Sequence, residues 1–195
     1  VYGWLAGAAP LAVQGVALMR DETDQQDVVH ADVRYANGIL GAYTHAFDKP
    51  SRLESQEGLL VFDRGSVRIH GWTPVRLEIA GLVTDVEREQ LGGIPGLRLE
   101  NVAQFDADQR MRGRGRQFSV RHHVRGVLVP QEESQELYRR AVGAALADLV
   151  ATMRDPQHRQ IVTLGDGLLS LAVACVAAGI ATQADLQRVS DVVHG

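Results

Sequence analysis

Apolar and polar residues alternate along the first two thirds of the chain and recur at helical spacing along the last third. Val13–Met19 is a short apolar run, and the polar stretch Asp21–Asp27 follows it. From Val28 to Tyr35 the alternation is regular: Val29, Ala31, Val33 and Tyr35 fall on one face, His30, Asp32 and Arg34 on the other. A period of two predicts a half-buried strand. Asn37-Gly38 then marks a type I′ hairpin turn, because both residues tolerate positive φ, and Ile39–Phe47 is the returning strand. Leu59–Phe62 and Ser66–His70, joined by Asp63-Arg64-Gly65, predict a second hairpin, and Val75–Ile79 a strand after the break at Pro74. Asp85–Gln117 is interrupted by Gly92-Gly93, Pro95-Gly96, Gly113 and Gly115 and reads as the least organised part. Phe118–Val129 returns to strand.

Helices follow. Glu132, Glu133 and Glu136 suit a helix N-terminus. Tyr138, Ala141, Val142, Ala145, Leu149 and Met153 repeat at helical spacing until Asp155-Pro156 ends the run. Thr163-Leu164-Gly165-Asp166 has the form of a capping box with Asp in place of Glu. Its helix carries Leu168, Leu171, Ala172, Cys175 and Val176 as the expected buried stripe and stops near Gly179. A third helix starts at Thr182-Gln183-Ala184-Asp185 and carries Leu186, Val189 and Val193. Strands first and helices afterwards predict an α+β fold: an open antiparallel or mixed sheet with helices packed on one face.

Composition narrows the function classes. The 195 residues make one domain of ordinary size, 45% hydrophobic and 23% charged. The net charge of -4 argues against a domain-wide field for nucleic acid or membrane. No uninterrupted apolar stretch reaches the ~18 residues of a membrane span. Cys175 is the sole cysteine, so no internal disulfide forms, and a cytoplasmic location is the default expectation. Val1–Gly15 lacks a basic leader segment and contains Trp4 and Pro10, so it does not read as a signal peptide. It reads as the last turn of a helix stopped at Gly7, which gives the chain the look of a piece cut from a longer one.

Several segments, in order, resemble one known family. Trp4-Leu5-Ala6-Gly7, Pro10 and Val13 resemble the segment that opens the C-terminal domain of the glucose-fructose oxidoreductase / inositol dehydrogenase (Gfo/Idh/MocA) family. Val33–Gly41, with Asn37-Gly38 at its centre, is similar to that family's hairpin. Glu57–Val67 resembles a further hairpin, with Phe62 where many members have Gly. Tyr138, Asp148-Leu149, Met153-Arg154 and Asp166-Gly167-Leu168 resemble its closing helices. The resemblance covers nearly the whole chain. It implies that residues 1–195 are the substrate-binding and oligomerisation domain of an NAD(P)-dependent oxidoreductase. The dinucleotide-binding domain, with its Gly-rich loop, Glu-Lys-Pro segment and Asp-x-x-x-His motif, is absent from this sequence.

The remaining constellations each have a plainer role. Lys49 is the only lysine, and Asp48-Lys49-Pro50 looks like the family's catalytic segment, yet it follows a strand of the C-terminal domain and reads as a surface loop. Gly113-x-Gly115 is too short for a dinucleotide fingerprint and follows no expected strand. His122 and His123 would face opposite sides of a strand and cannot chelate together. Arg110, Arg112, Arg114 and Arg116 read as a solvated loop, with closure on an anionic substrate or a neighbouring subunit as the alternative. Cys175 reads as a small buried hydrophobe.

For substrate, Arg52 and Glu54 share a strand face with Gln56, and the resemblance brings Glu54 near the sugar site; a solvated sheet edge is the plainer reading. His45 and Trp72 complete the set. Trp can stack on a sugar ring, and Trp72 before Pro74 can equally plug a core. The expectation is a hydride-transferring oxidoreductase domain for a sugar, cyclitol or related hydroxy compound. NAD or NADP would be bound by the missing domain, and a homo-oligomer would form through the open sheet face. The competing expectation is a non-catalytic binding or oligomerisation module.

Overall fold

The computed structural model describes residues 5–19, 26–46, 50, 55–113 and 115–194. The chain divides into two compact units, Val1–Leu53 with Asp148–Gly195, and Glu54–Ala147. The fold is α+β, with two antiparallel sheets where one was expected.

The first unit is built on a meander of β1 (Pro10–Met19), β2 (Gln26–Tyr35) and β3 (Leu40–Ala46), with β2 central. The alternation read in β2 holds: Ala31, Val33 and Tyr35 are buried, and His30, Asp32 and Arg34 are exposed. The β2–β3 turn is one residue longer than a two-residue hairpin. Gly38 donates to the Tyr35 carbonyl at 3.0 Å and takes φ +84, a conformation that favours glycine.

Two helices cover this sheet: α3 (Leu164–Ala177) and α4 (Gln183–His194). Ahead of them in the chain, α2 (Ser134–Arg154) begins in the second unit and ends in the first. Thr163 and Asp166 form the expected capping box of α3, and Thr182 and Asp185 repeat the pattern for α4. The core joins Val13, Ala31, Val33 and Tyr35 to Ala177 and Leu186. Leu186 is fully buried, which stabilises this unit by about 1.5–3 kcal/mol. The packing stripe of α3 is rotated from the expected one. Ala172, Val173, Val176 and Ala177 face the core and Leu169 is buried, while Leu168 and Leu171 are exposed. The reason is the close approach at Gly15, where a Cβ would lie 2.2 Å from the Ala177 carbonyl oxygen. The Gln183 side chain fastens the edge strand β1 by accepting from Val13 N at 3.0 Å and donating to Leu11 O at 2.8 Å.

The second unit carries a sheet in the order β4 (Glu57–Phe62), β5 (Gly65–His70), β6 (Arg76–Val83), β8 (Arg116–Leu128), β7 (Leu97–Gly113), with α1 (Asp85–Gly92) between β6 and β7. Register and alternation put Leu60, Val67, Ile79, Gly126 and Leu99 in one row on one face, together with His122 and Val124 further along β8. Helix α1 sits on this face, because His122 reaches Asp85 there. The opposite face carries Leu59, Arg68, Glu78, Val127 and Arg98.

Two expectations are corrected here. Asp85–Gln117 is not disorganised: it holds α1 and the 17-residue strand β7. Arg110, Arg112 and Arg116 therefore lie on paired strands, not in a solvated loop. The pairing of β7 with β8 overrides the weak local signal of glycine and charge. The apolar repeat of α2 also stays uncovered, with Tyr138, Val142, Leu149 and Met153 all exposed and no residue of the helix buried.

Candidate functional site

On the α1-free face of the five-stranded sheet, cross-strand neighbours form a continuous polar chain. Glu57, His70 and Arg76 lie directly opposite one another on β4, β5 and β6. Arg68 donates to Glu57 at 3.0 Å, and Arg76 donates to Glu78 at 2.7 Å. His70 lies between the two acids, with Nδ1 3.5 Å from Glu57 and Nε2 3.5 Å from Glu78. Its Nε2 is buried and makes no hydrogen bond among the described residues. The hydrogen bond from Arg76 holds the Glu78 carboxyl below the usual carboxylate range, with His70 adding to the effect. Glu78 is thus a ready acceptor, and the buried His70 Nε2 faces it rather than solvent.

The turn that follows His70 carries Trp72. Gly71 donates to Gln56 O, and Val75 donates to His70 O, which fixes both ends of the turn. Trp72 is 70% exposed, so it is not a core plug. Its ring lies 5.2 Å from that of Tyr138, tilted by 32°. An exposed aromatic platform next in sequence to a chain of carboxylate, imidazole and guanidinium groups suits a hydroxyl-rich ring: apolar C–H faces stack, and hydroxyls find donors and acceptors.

Of the residues named from the sequence, Trp72 takes part in this arrangement. His45 lies exposed on β3 in the first unit, opposite Val29. Arg52, Glu54 and Lys49 lie outside the described residues. Sequence reasoning missed Glu57, His70 and Glu78, which become neighbours only through the strand register.

Other polar clusters in the second unit hold the fold. His122, 4% exposed, meets the Asp85 carboxylate at 2.6 Å through Nε2 and clamps α1 to the sheet. That hydrogen bond, with help from Arg121 and Arg88, holds the Asp85 carboxyl low. The Thr84–Glu87 capping box starts α1, and Arg64 grips the Glu87 carboxylate with both terminal nitrogens while its guanidinium lies 5.7 Å over the Phe118 ring. Glu87 is pushed down to about 2, chiefly by Arg64. Beside them a groove of about 470 Å³ is lined by Phe62, Val67, Ile79, Leu91 and Phe118.

The described residues hold no cluster of three or more His, Cys, Asp or Glu side chains able to bind a metal. Gly113 ends β7 and Gly115 directly precedes β8, so no helix N-terminus stands behind this glycine pair for a diphosphate. No described helix is long and apolar enough to cross a membrane.

No protein-family model matches the chain. No curated protein sequence matches it either. Among solved structures, the chain is similar to UDP-N-acetylglucosamine 3-dehydrogenase GnnA from Acidithiobacillus ferrooxidans, with 16% identity and a TM-score of 0.46 over 93% of this chain and 43% of that one. A second crystal form of the same enzyme gives 12% identity and a TM-score of 0.38 over 96% of this chain and 39% of that one. The chain thus spans less than half the length of these structures.

Proposed function

We propose that this chain is the substrate-side and assembly domain of an NAD(P)-dependent oxidoreductase acting on a sugar, cyclitol or related hydroxy compound. One observation carries the reading: the segments that resemble the Gfo/Idh/MocA family occupy, in order, the element boundaries that the resemblance calls for. Leu5 and Ala6 are helical, and Gly7 turns the chain at φ +63. Pro10 opens β1, Asn37-Gly38 turns β2 into β3, and Glu57–Val67 spans the β4–β5 hairpin. Asp166-Gly167 lies in the first turn of α3.

In this reading the cofactor belongs to another part of the protein and supplies the hydride chemistry. The present residues bind and orient the substrate. Trp72 and Tyr138 take the face of a ring, and Glu57 and Glu78, held by Arg68, Arg76 and His70, take its hydroxyls. His45, Arg52 and Glu54 remain candidates from the sequence alone. Assembly is proposed to use the α1-free face of the five-stranded sheet, where Leu59 and Val61 are exposed. Val67 and Ile69 stand on the α1 face.

Tryptophan fluorescence tests the substrate reading. Titrating the chain with a panel of aldoses and inositols should give a saturable change at millimolar ligand that Trp72→Phe abolishes. An unchanged signal across the panel would count against it. Light scattering tests assembly: a 21 kDa species at tens of micromolar would refute it.

A further inference from the structure

Strand β7 is the outer strand of its sheet, so one side of its backbone has no strand partner among the described residues. Near the β7–β8 turn, Gln109–Gly113 pairs in regular register with Val120–Arg116. Helix α1 is anchored elsewhere on β7, where Arg88 meets Asn101 at 2.9 Å. On this terminal stretch Arg110 and Arg112 project to one face, opposite Ser119 and Gln117. Both arginines are exposed, and neither has an ion pair or hydrogen bond among the described residues. The nearby acids are engaged elsewhere: Asp108 accepts from Ser119 and neighbours Arg121, and Asp63 accepts from Arg116.

We propose that the Gln109–Gly113 edge is a docking site for an extended acidic peptide segment, which adds to the sheet as a further strand. Two features select this occupant. An open strand edge offers alternating N–H and C=O groups, which another peptide backbone satisfies in register. Guanidiniums at i and i+2 lie about 7 Å apart, the spacing of alternate side chains on one face of the incoming strand. Asp or Glu at every second position therefore meets each arginine, with a fork geometry that favours carboxylates. A nucleic acid would meet the charges but leave the backbone edge unused. The inference stands independently of the proposed oxidoreductase role.

The test is a fluorescence-anisotropy titration of the full chain with a labelled eight-residue peptide of alternating Asp and Val, at low ionic strength. Arg110→Glu/Arg112→Glu should weaken binding by about tenfold or more, as expected for reversing two charge-assisted pairs. Arg154→Glu/Arg159→Glu, an equal change in net charge elsewhere, should leave it within about twofold. N-methylation of the peptide at alternate amides should weaken binding in one of the two registers and spare it in the other, the signature of strand addition. Circular dichroism shows that each variant remains folded. The proposal is overturned by an absence of binding at millimolar peptide, by equal losses in the two double variants, or by indifference to methylation in both registers. Tighter binding of a single-stranded oligonucleotide of equal charge overturns it as well.

Discussion

Replacing Glu87 by Gln should loosen α1 in a pH-dependent way. The Glu87 carboxylate accepts from Thr84 N at 2.9 Å, from Thr84 Oγ1 at 3.0 Å and from Arg64 Nη1 at 2.8 Å, with Arg64 Nη2 completing the fork. Gln keeps the length of the side chain but removes the charge and turns N–H donors toward other donors. The drop of the Glu87 pKa from 4.5 to about 2 caps the charge contribution at about 3 kcal/mol. Both partners of the ion pair are about a third exposed, so screening reduces this to about 1–2 kcal/mol. Because the folded-state value is depressed, the contribution is complete above the unfolded value and fades as pH falls from about 4.5 through about 2. The assay is hydrogen exchange at the α1 amides, supported by urea unfolding of the second unit. At pH 7 the variant should exchange faster by roughly five- to thirtyfold, and the deficit should shrink toward pH 3. A deficit of the same size at both pH values, or none at pH 7, would refute the electrostatic account.

Gly15→Ala drives a Cβ to 2.2 Å from the Ala177 carbonyl oxygen and should destabilise the first unit by about 1–3 kcal/mol or more; an unchanged thermal transition would contradict the close approach. Asp148 accepts from His158 at 2.7 Å and from Ile161 N at 3.0 Å. Asp148→Asn should therefore speed exchange of the Ile161 amide at pH 7. In the unsubstituted chain the same protection should fade as pH falls below the ordinary carboxylate range, because His158 holds that carboxyl low. Calorimetry of the chain with millimolar NAD+ or NADP+ should show no saturable heat, and a micromolar dissociation constant would place a cofactor site within these residues.

Much of the fold was legible where local signal and tertiary environment agree. Strand β2 alternates because one face is core, and Ala31, Val33 and Tyr35 carry that in their identity. The α3 cap was legible because Thr163 and Asp166 satisfy the first turn from within it. The capping box at Thr84–Glu87 was equally present in the sequence but was hidden among glycine breaks that suggested a loop. Strand β7 was not legible: Asp, Gln, Arg and Gly have poor strand propensity, and its conformation comes from pairing with β8. The site divides in the same way. Trp72 stands out by residue type, whereas Glu57, His70 and Glu78 are ordinary surface residues until register sets them side by side.

The central claim is that these residues serve as the polyol-binding half of a two-part oxidoreductase. The most direct measurement is the DNA sequence upstream of the codon for Val1. The account predicts an uninterrupted reading frame encoding a Gly-rich strand–turn–helix segment and a Glu-Lys-Pro sequence. A stop codon in frame ahead of any such segment, with a start site at Val1, would contradict it and leave a free-standing binding module in its place.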